Sequence, residues 1–75
     1  MVKPTLTQRT HGIVSSFDLS KGYGYISVEG RGEVFVHYSN IDGDGLPALT
    51  RGERVSFLIE ESEIGSQALK VIRSK

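Results

Sequence analysis

Seventy-five residues make a single domain, one small enough to hide only about 60% of the surface that its unfolded chain exposes. There is no cysteine, and the only histidines are His11 and His37, which excludes a disulfide framework and a zinc constellation and leaves packing to hold the fold. Nine basic residues balance nine acidic ones, which argues against any binding mode resting on bulk positive charge.

Residues 1–10 carry Lys3, Pro4 and Arg9 but no periodic pattern and no apolar stretch. They read as a flexible tail ahead of a domain spanning 11–73, with neither a secretory signal nor a membrane span. A cytoplasmic monomer is expected. From His11 onward the pattern is all β. The first strand is expected over His11–Asp18, the second over Tyr23–Glu29 and the third over Glu33–Tyr38. Gly30-Arg31-Gly32 between the last two reads as a short hairpin loop. The long connection from Ser39 to Gly52 suits a wide loop with a helical turn near Ser39. The fourth strand is expected over Arg54–Glu60, with Val55, Phe57 and Ile59 on one face. The fifth is expected over Gln67–Arg73, with Ala68, Lys70 and Ile72 alternating with Leu69 and Val71. Five short strands of even spacing predict a small closed antiparallel barrel, because closure removes exposed edges.

Alternation assigns the faces of the second and third strands. Ile26 and Val28 share one face, and Tyr23, Tyr25 and Ser27 the other. Val34 and Val36 oppose Phe35 and His37 in the same way. The aliphatic residues have no polar tip and belong inside. Tyr23, Tyr25, Phe35 and His37 are then left together on the outer face, with Tyr38 at its rim. Burying the rings instead would put four β-branched residues in water, which is the worse solution. An exposed aromatic cluster marks a binding surface, and flat rings are what unpaired bases stack on. Gly24, inside the second strand, leaves space for close packing or strand curvature. No second metal-type ligand accompanies His37, whose parity with Phe35 points to stacking or a base-edge contact.

Lys21-Gly22-Tyr23-Gly24-Tyr25-Ile26 matches the opening of the RNP1 pattern, and Val34-Phe35-Val36-His37-Tyr38 resembles the RNP2 element that accompanies it. With Gly12-Ile13-Val14-Ser15-Ser16-Phe17-Asp18 before them and Gly65-Ser66-Gln67-Ala68 after, the chain resembles the bacterial cold-shock proteins from Gly12 through Val71. The resemblance implies a five-stranded OB-type barrel that binds single-stranded RNA or DNA with little sequence preference. The usual role is RNA chaperoning, with effects on transcription and translation and no catalysis. It also implies that Phe17, Lys21, Tyr23, Tyr25, Phe35, His37 and Tyr38 contact nucleic acid, and that Glu33 touches a base edge.

Three departures from the family pattern stand out. Ser15-Ser16 replaces the usual Lys-Trp, Leu46 replaces a loop Phe, and Ser66 replaces a Pro, which is expected to loosen the last connection. Stacking is worth about 1–3 kcal/mol per base, so losing two platforms weakens binding by one or more orders of magnitude. The weakened platform and zero net charge leave open a second reading, an OB-type module whose aromatic face docks a protein. Asp42-Gly43-Asp44-Gly45 lacks the ligand spacing of a calcium loop and reads as a turn. Glu60, Glu61 and Glu63 read as a solvated acidic run, and Arg51, Arg54, Lys70, Arg73 and Lys75 as solvated surface. There is no nucleophile–base pair, phosphate loop or small-molecule site. No cofactor is expected.

Overall fold

The computed structural model describes residues 9–42, 48–63 and 65–74. Five strands are present: β1 (Thr10–Asp18), β2 (Tyr23–Val28), β3 (Gly32–His37), β4 (Arg54–Ser62) and β5 (Gly65–Arg73). A 3₁₀ turn, Tyr38–Asn40, follows β3 where the helical turn near Ser39 is expected. The strands close into a barrel in the order β1-β2-β3-β5-β4. Three of its seams are extended antiparallel ladders, and a shorter one joins β1 to β4. The β3–β5 joint is parallel and narrow, pairing Phe35 with Gln67, and is extended by a bridge between Ile41 and Val71. Among the described residues no helix is long and apolar enough to cross a membrane.

The interior is filled by aliphatic side chains and a single ring. Val14, Ile26, Val34, Val36, Val55, Val71 and Phe57 are essentially sealed from solvent, with Val28, Leu49 and Ala68 completing the core. Phe17, Ile41 and Ile59 pack against its edge. The parity expected for β2 and β3 is therefore the one observed. β1 and β2 approach each other closely at Gly24. A Cβ there would stand 2.1 Å from the Ser16 carbonyl oxygen and 2.6 Å from the Phe17 Cα. Gly24 thus serves close packing.

Strict alternation fails at two bulges, each an extra residue in one strand. In β1, Val14 faces Ile26 but Ser16 faces Tyr25, so Ser15 is the extra residue, and its hydroxyl donates to the Tyr25 carbonyl at 3.2 Å. In β5, Ser56 faces Ile72 while Leu58 faces Leu69, so three steps of β5 span two of β4. Lys70 sits in this bulge with φ 51°, a left-handed conformation uncommon for a residue with a Cβ. Alternation along β5 places Ala68 and Val71 on opposite faces, yet both are fully buried. The bulge rotates the strand by one residue and brings both inside.

The N-terminal boundary also moves. Thr10 pairs with Phe57 and begins β1. Arg9 donates from Nε to Ser56 Oγ at 3.1 Å, and its guanidinium also reaches the Ser56 carbonyl at 2.8 Å and the Lys70 carbonyl. It thereby satisfies backbone oxygens exposed by the β5 bulge. Residues 1–8 of the expected tail lie outside the described residues.

Side chains also tie down the two ends of the β4–β5 ladder. Ser66, expected in a loosened connection, lies within β5 opposite Glu61 and donates its hydroxyl to that carboxylate at 2.8 Å. Arg73, expected as solvated surface, is half-buried, pairs with Glu53 at 2.8 Å and donates to the Ala48 carbonyl. Glu53 in turn accepts from the Thr50 N–H at 3.0 Å. Leu46 and the Gly43-Asp44-Gly45 turn lie outside the described residues.

Two stability measurements check this packing. Gly24→Ala forces a methyl against backbone atoms and is expected to cost about 1–3 kcal/mol in urea denaturation. Lys70→Gly relieves the left-handed strain at some cost in unfolded-state entropy, and a net gain of about 0.5 kcal/mol is expected. A loss of stability from that change would refute the bulge geometry.

Candidate nucleic-acid interface

With the interior full, the remaining rings stand on the outer surface of β2 and β3. In register, Tyr23 lies opposite His37, and Tyr25 opposite Phe35. The Phe35 ring is the hub of a cluster of three. Its centroid is 5.5 Å from that of Tyr23, tilted by 36°, and 5.9 Å from that of Tyr25, edge-on at 71°. These are ordinary aromatic packing distances. Tyr25 is 39% exposed, while Tyr23, Phe35 and His37 are half-buried by one another and by their strands.

A second pair continues the surface past the end of β3. Tyr38 and His37 have ring centroids 4.5 Å apart, tilted by 32°, and Tyr38 is 49% exposed. The His37 Nδ1 accepts from the Ser39 backbone N–H at 3.2 Å and lies 2.8 Å from Ser39 Oγ. A ring nitrogen that accepts from a backbone N–H carries no proton in the neutral form, so Nε2–H is the donor left for a ligand. The Tyr38 ring packs on Gly22, where a Cβ would meet it at 2.6 Å. Gly22 also has φ 79°.

The turn from β1 to β2 forms the third side. The Asp18 carbonyl accepts from the N–H groups of Lys21 and Gly22 at 3.2 and 2.7 Å, and the Gly22 carbonyl accepts from the Tyr38 N–H at 2.9 Å. The Asp18 carboxylate accepts from the Ser20 hydroxyl, the Lys21 N–H and the Ser20 N–H at 2.7, 3.1 and 2.9 Å. Led by the Ser20 hydroxyl and the Lys21 N–H, these bonds and the Lys21 charge hold the carboxyl below its ordinary value, against an opposing effect of desolvation. Two grooves flank the turn. One is walled by Phe17, Leu19, Lys21, Gly22, Tyr38 and Ala48. The other runs along Ser16, Phe17, Asp18, Tyr23 and Tyr25. Lys21 is the one cation among the described residues that lines either groove.

The sequence-predicted residues fall into three groups. Tyr23, Tyr25, Phe35, His37, Tyr38 and Lys21 surround one continuous surface. Ser16 joins it opposite Tyr25, turned outward by the Ser15 bulge. Phe17 differs from the rings: it lies opposite Gly24, rests on the core edge and presents one side to both grooves. Glu33, opposite Ser27, is at the hairpin end of the same face, and Leu46 lies outside the described residues. Sequence reading missed Leu19, which is 74% exposed beside both grooves, and Ala48, which folds back from the long connection. The spacing of Val14 and Phe17, three apart where alternation demands two, was the available signal for the bulge. Arg31, in the β2–β3 hairpin, pairs with Glu61 of β4 in an exposed ion pair.

The comparisons agree with this geometry. Residues 10–74 match the family described as 'Cold-shock' DNA-binding domain. The chain is 47% identical over 62 residues to the cold shock-like protein CspE of Bacillus anthracis, covering 83% of this chain and 92% of that one. It is 46% identical over 63 residues to the cold shock protein CspD of Bacillus subtilis, covering 84% and 96%. The fold is also similar to the solved structure titled drosophila Unr CSD456, with a TM-score of 0.73 at 20% identity, covering 91% of this chain and 27% of that one. With the family match spanning nearly the whole described barrel, the chain belongs to the cold-shock domain family.

Proposed function

We propose that this chain binds single-stranded RNA or DNA on the β2–β3 surface. Unpaired bases stack on Tyr23, Tyr25, Phe35, His37 and Tyr38, Phe17 borders the grooves, and Lys21 meets the backbone. Ser16 and Glu33 lie at the margins. The observation that carries this reading is the three-ring cluster around Phe35 on the outer face, partly open to solvent while the aliphatic core of the same strands is sealed. Rings gathered on the outer face in this way present flat area to unpaired bases, and every base has a matching face, so stacking tolerates many sequences. A strand whose bases are occupied cannot pair with itself, which is the physical content of RNA chaperoning. The reading is of a binding domain, not an enzyme.

Affinity is expected to be modest. Ser16 supplies no ring opposite Tyr25, and Ser15 no cation, so fewer bases are held than on a complete platform. Phe35→Ala removes the hub of the cluster without entering the core. It is expected to weaken binding of a short pyrimidine-rich strand by about 1–3 kcal/mol while the circular dichroism spectrum stays native. An unfolded variant would instead assign Phe35 to the core.

The charge distribution makes a separate prediction. Each phosphate neutralised on a single strand contributes about −0.7 to the slope of log affinity against log salt. With Lys21 in the groove and Arg31 offset by Glu61, one or two contacts give a slope of about −1. A titration from low to moderate salt checks this. A slope near −4, as about six phosphate contacts would give, or equal affinity for duplex, would move the binding from the rings to the backbone.

A further inference from the structure

The groove beside Tyr23 and Tyr25 has one charged wall, and that wall is acidic. Asp18 lines it with Ser16, Phe17, Leu19 and Tyr23. In the β1–β2 register Asp18 stands directly opposite Tyr23, and residues so opposed have Cβ atoms about 5 Å apart. A base lying on the Tyr23 ring would have the carboxylate beside its edge. Oδ1 is occupied by the turn, accepting from the Ser20 N–H, the Ser20 hydroxyl and the Lys21 N–H. Oδ2 has no partner among the described residues. The donors on Oδ1 keep the group ionised at neutral pH, and an ionised carboxylate only accepts hydrogen bonds.

Building on the proposed single-strand binding, we infer that Asp18 reads the edge of the base stacked at Tyr23 and selects bases bearing an exocyclic amino group, taking cytosine over uracil or thymine among the pyrimidines. The amino group of cytosine donates to a carboxylate. Uracil and thymine place a carbonyl oxygen at the same position, and its lone pairs oppose Oδ2. Their one ring N–H lies between two carbonyl oxygens, so reaching it brings acceptor against acceptor. The same negative charge repels phosphate and leaves the backbone to Lys21 in the adjoining groove. Ser16, opposite Tyr25, provides the space for a base to sit low enough to meet Asp18.

The test compares a short oligocytidine with the matching oligouridine at neutral pH, for the natural chain and for Asp18→Asn. The amide keeps an oxygen for the turn and replaces Oδ2 by a donor, so the fold is retained and the polarity of the reading edge reverses. The natural chain is expected to bind the cytidine strand about three- to tenfold tighter, as one added hydrogen bond would give. Asp18→Asn is expected to abolish or invert that preference at an unchanged thermal midpoint. A ligand-side measurement does not depend on the variant folding: a strand of N4,N4-dimethylcytidine, with no amino hydrogen, is expected to lose the advantage. Equal affinity of the natural chain for the two strands, or a preference that survives in Asp18→Asn or with the dimethylated strand, overturns the assignment. Binding to neither strand refutes the single-strand reading on which it rests.

Discussion

A barrel closed by five short strands encloses a space only wide enough for side chains to fill, and here that space is taken by valines, Ile26, Leu49, Ala68 and the one ring of Phe57. This volume limit governs the rest of the molecule. Once Val34 and Val36 point inward, Phe35 and His37 must point outward, and Ile26 and Val28 impose the same on Tyr23 and Tyr25. The proposed binding surface is the complement of the core, generated by the same strands. Its rings support one another laterally, so they are ordered before a base arrives, which reduces the entropy lost on binding.

Bulges and glycines then adjust what alternation alone would set. The extra residue at Ser15 turns Ser16 toward Tyr25 and lays Phe17 across Gly24 at the mouth of the barrel. Gly24 lets β1 approach, and Gly22 lets the Tyr38 ring settle on the turn. At the opposite seam the Lys70 bulge recruits both Ala68 and Val71 into the core, and Arg9 bonds the oxygens that the irregularity frees. The first bulge shapes the proposed interface. The second completes the packing that supports it.

Charge is spent largely within the fold. Arg9 bonds β4 and β5, Arg73 pairs with Glu53, and Arg31 faces Glu61. An exposed pair such as Arg31–Glu61 adds little stability, but the two ion pairs lower the positive potential that a phosphate would meet. On the proposed function, the consequence is a surface on which ring contacts outweigh backbone attraction. Stacking of this kind tolerates many sequences, so any preference among bases has to come from polar groups at the base edge.

The five strands, the inward set Val14, Ile26, Val28, Val34 and Val36, and the outward set Tyr23, Tyr25, Phe35 and His37 were all determined by the sequence alone. Period-two alternation is a local property, and burying aliphatics is a strong enough preference to orient it. The RNP-like elements placed Lys21 and Tyr38 as well, because their spacing is carried by one short turn and one hairpin. Other features needed the tertiary structure: the register shift at Ser15, the burial of Ala68 with Val71, the clamp by Arg9, the partners of Arg31, Ser66 and Arg73, and the position of Asp18 opposite Tyr23. Each depends on which residue of a distant strand lies opposite, and that is settled only when the barrel closes and every seam must reach a common register. An extra residue in one strand costs nothing locally. It becomes necessary because closure leaves no free edge along which a strand could slide.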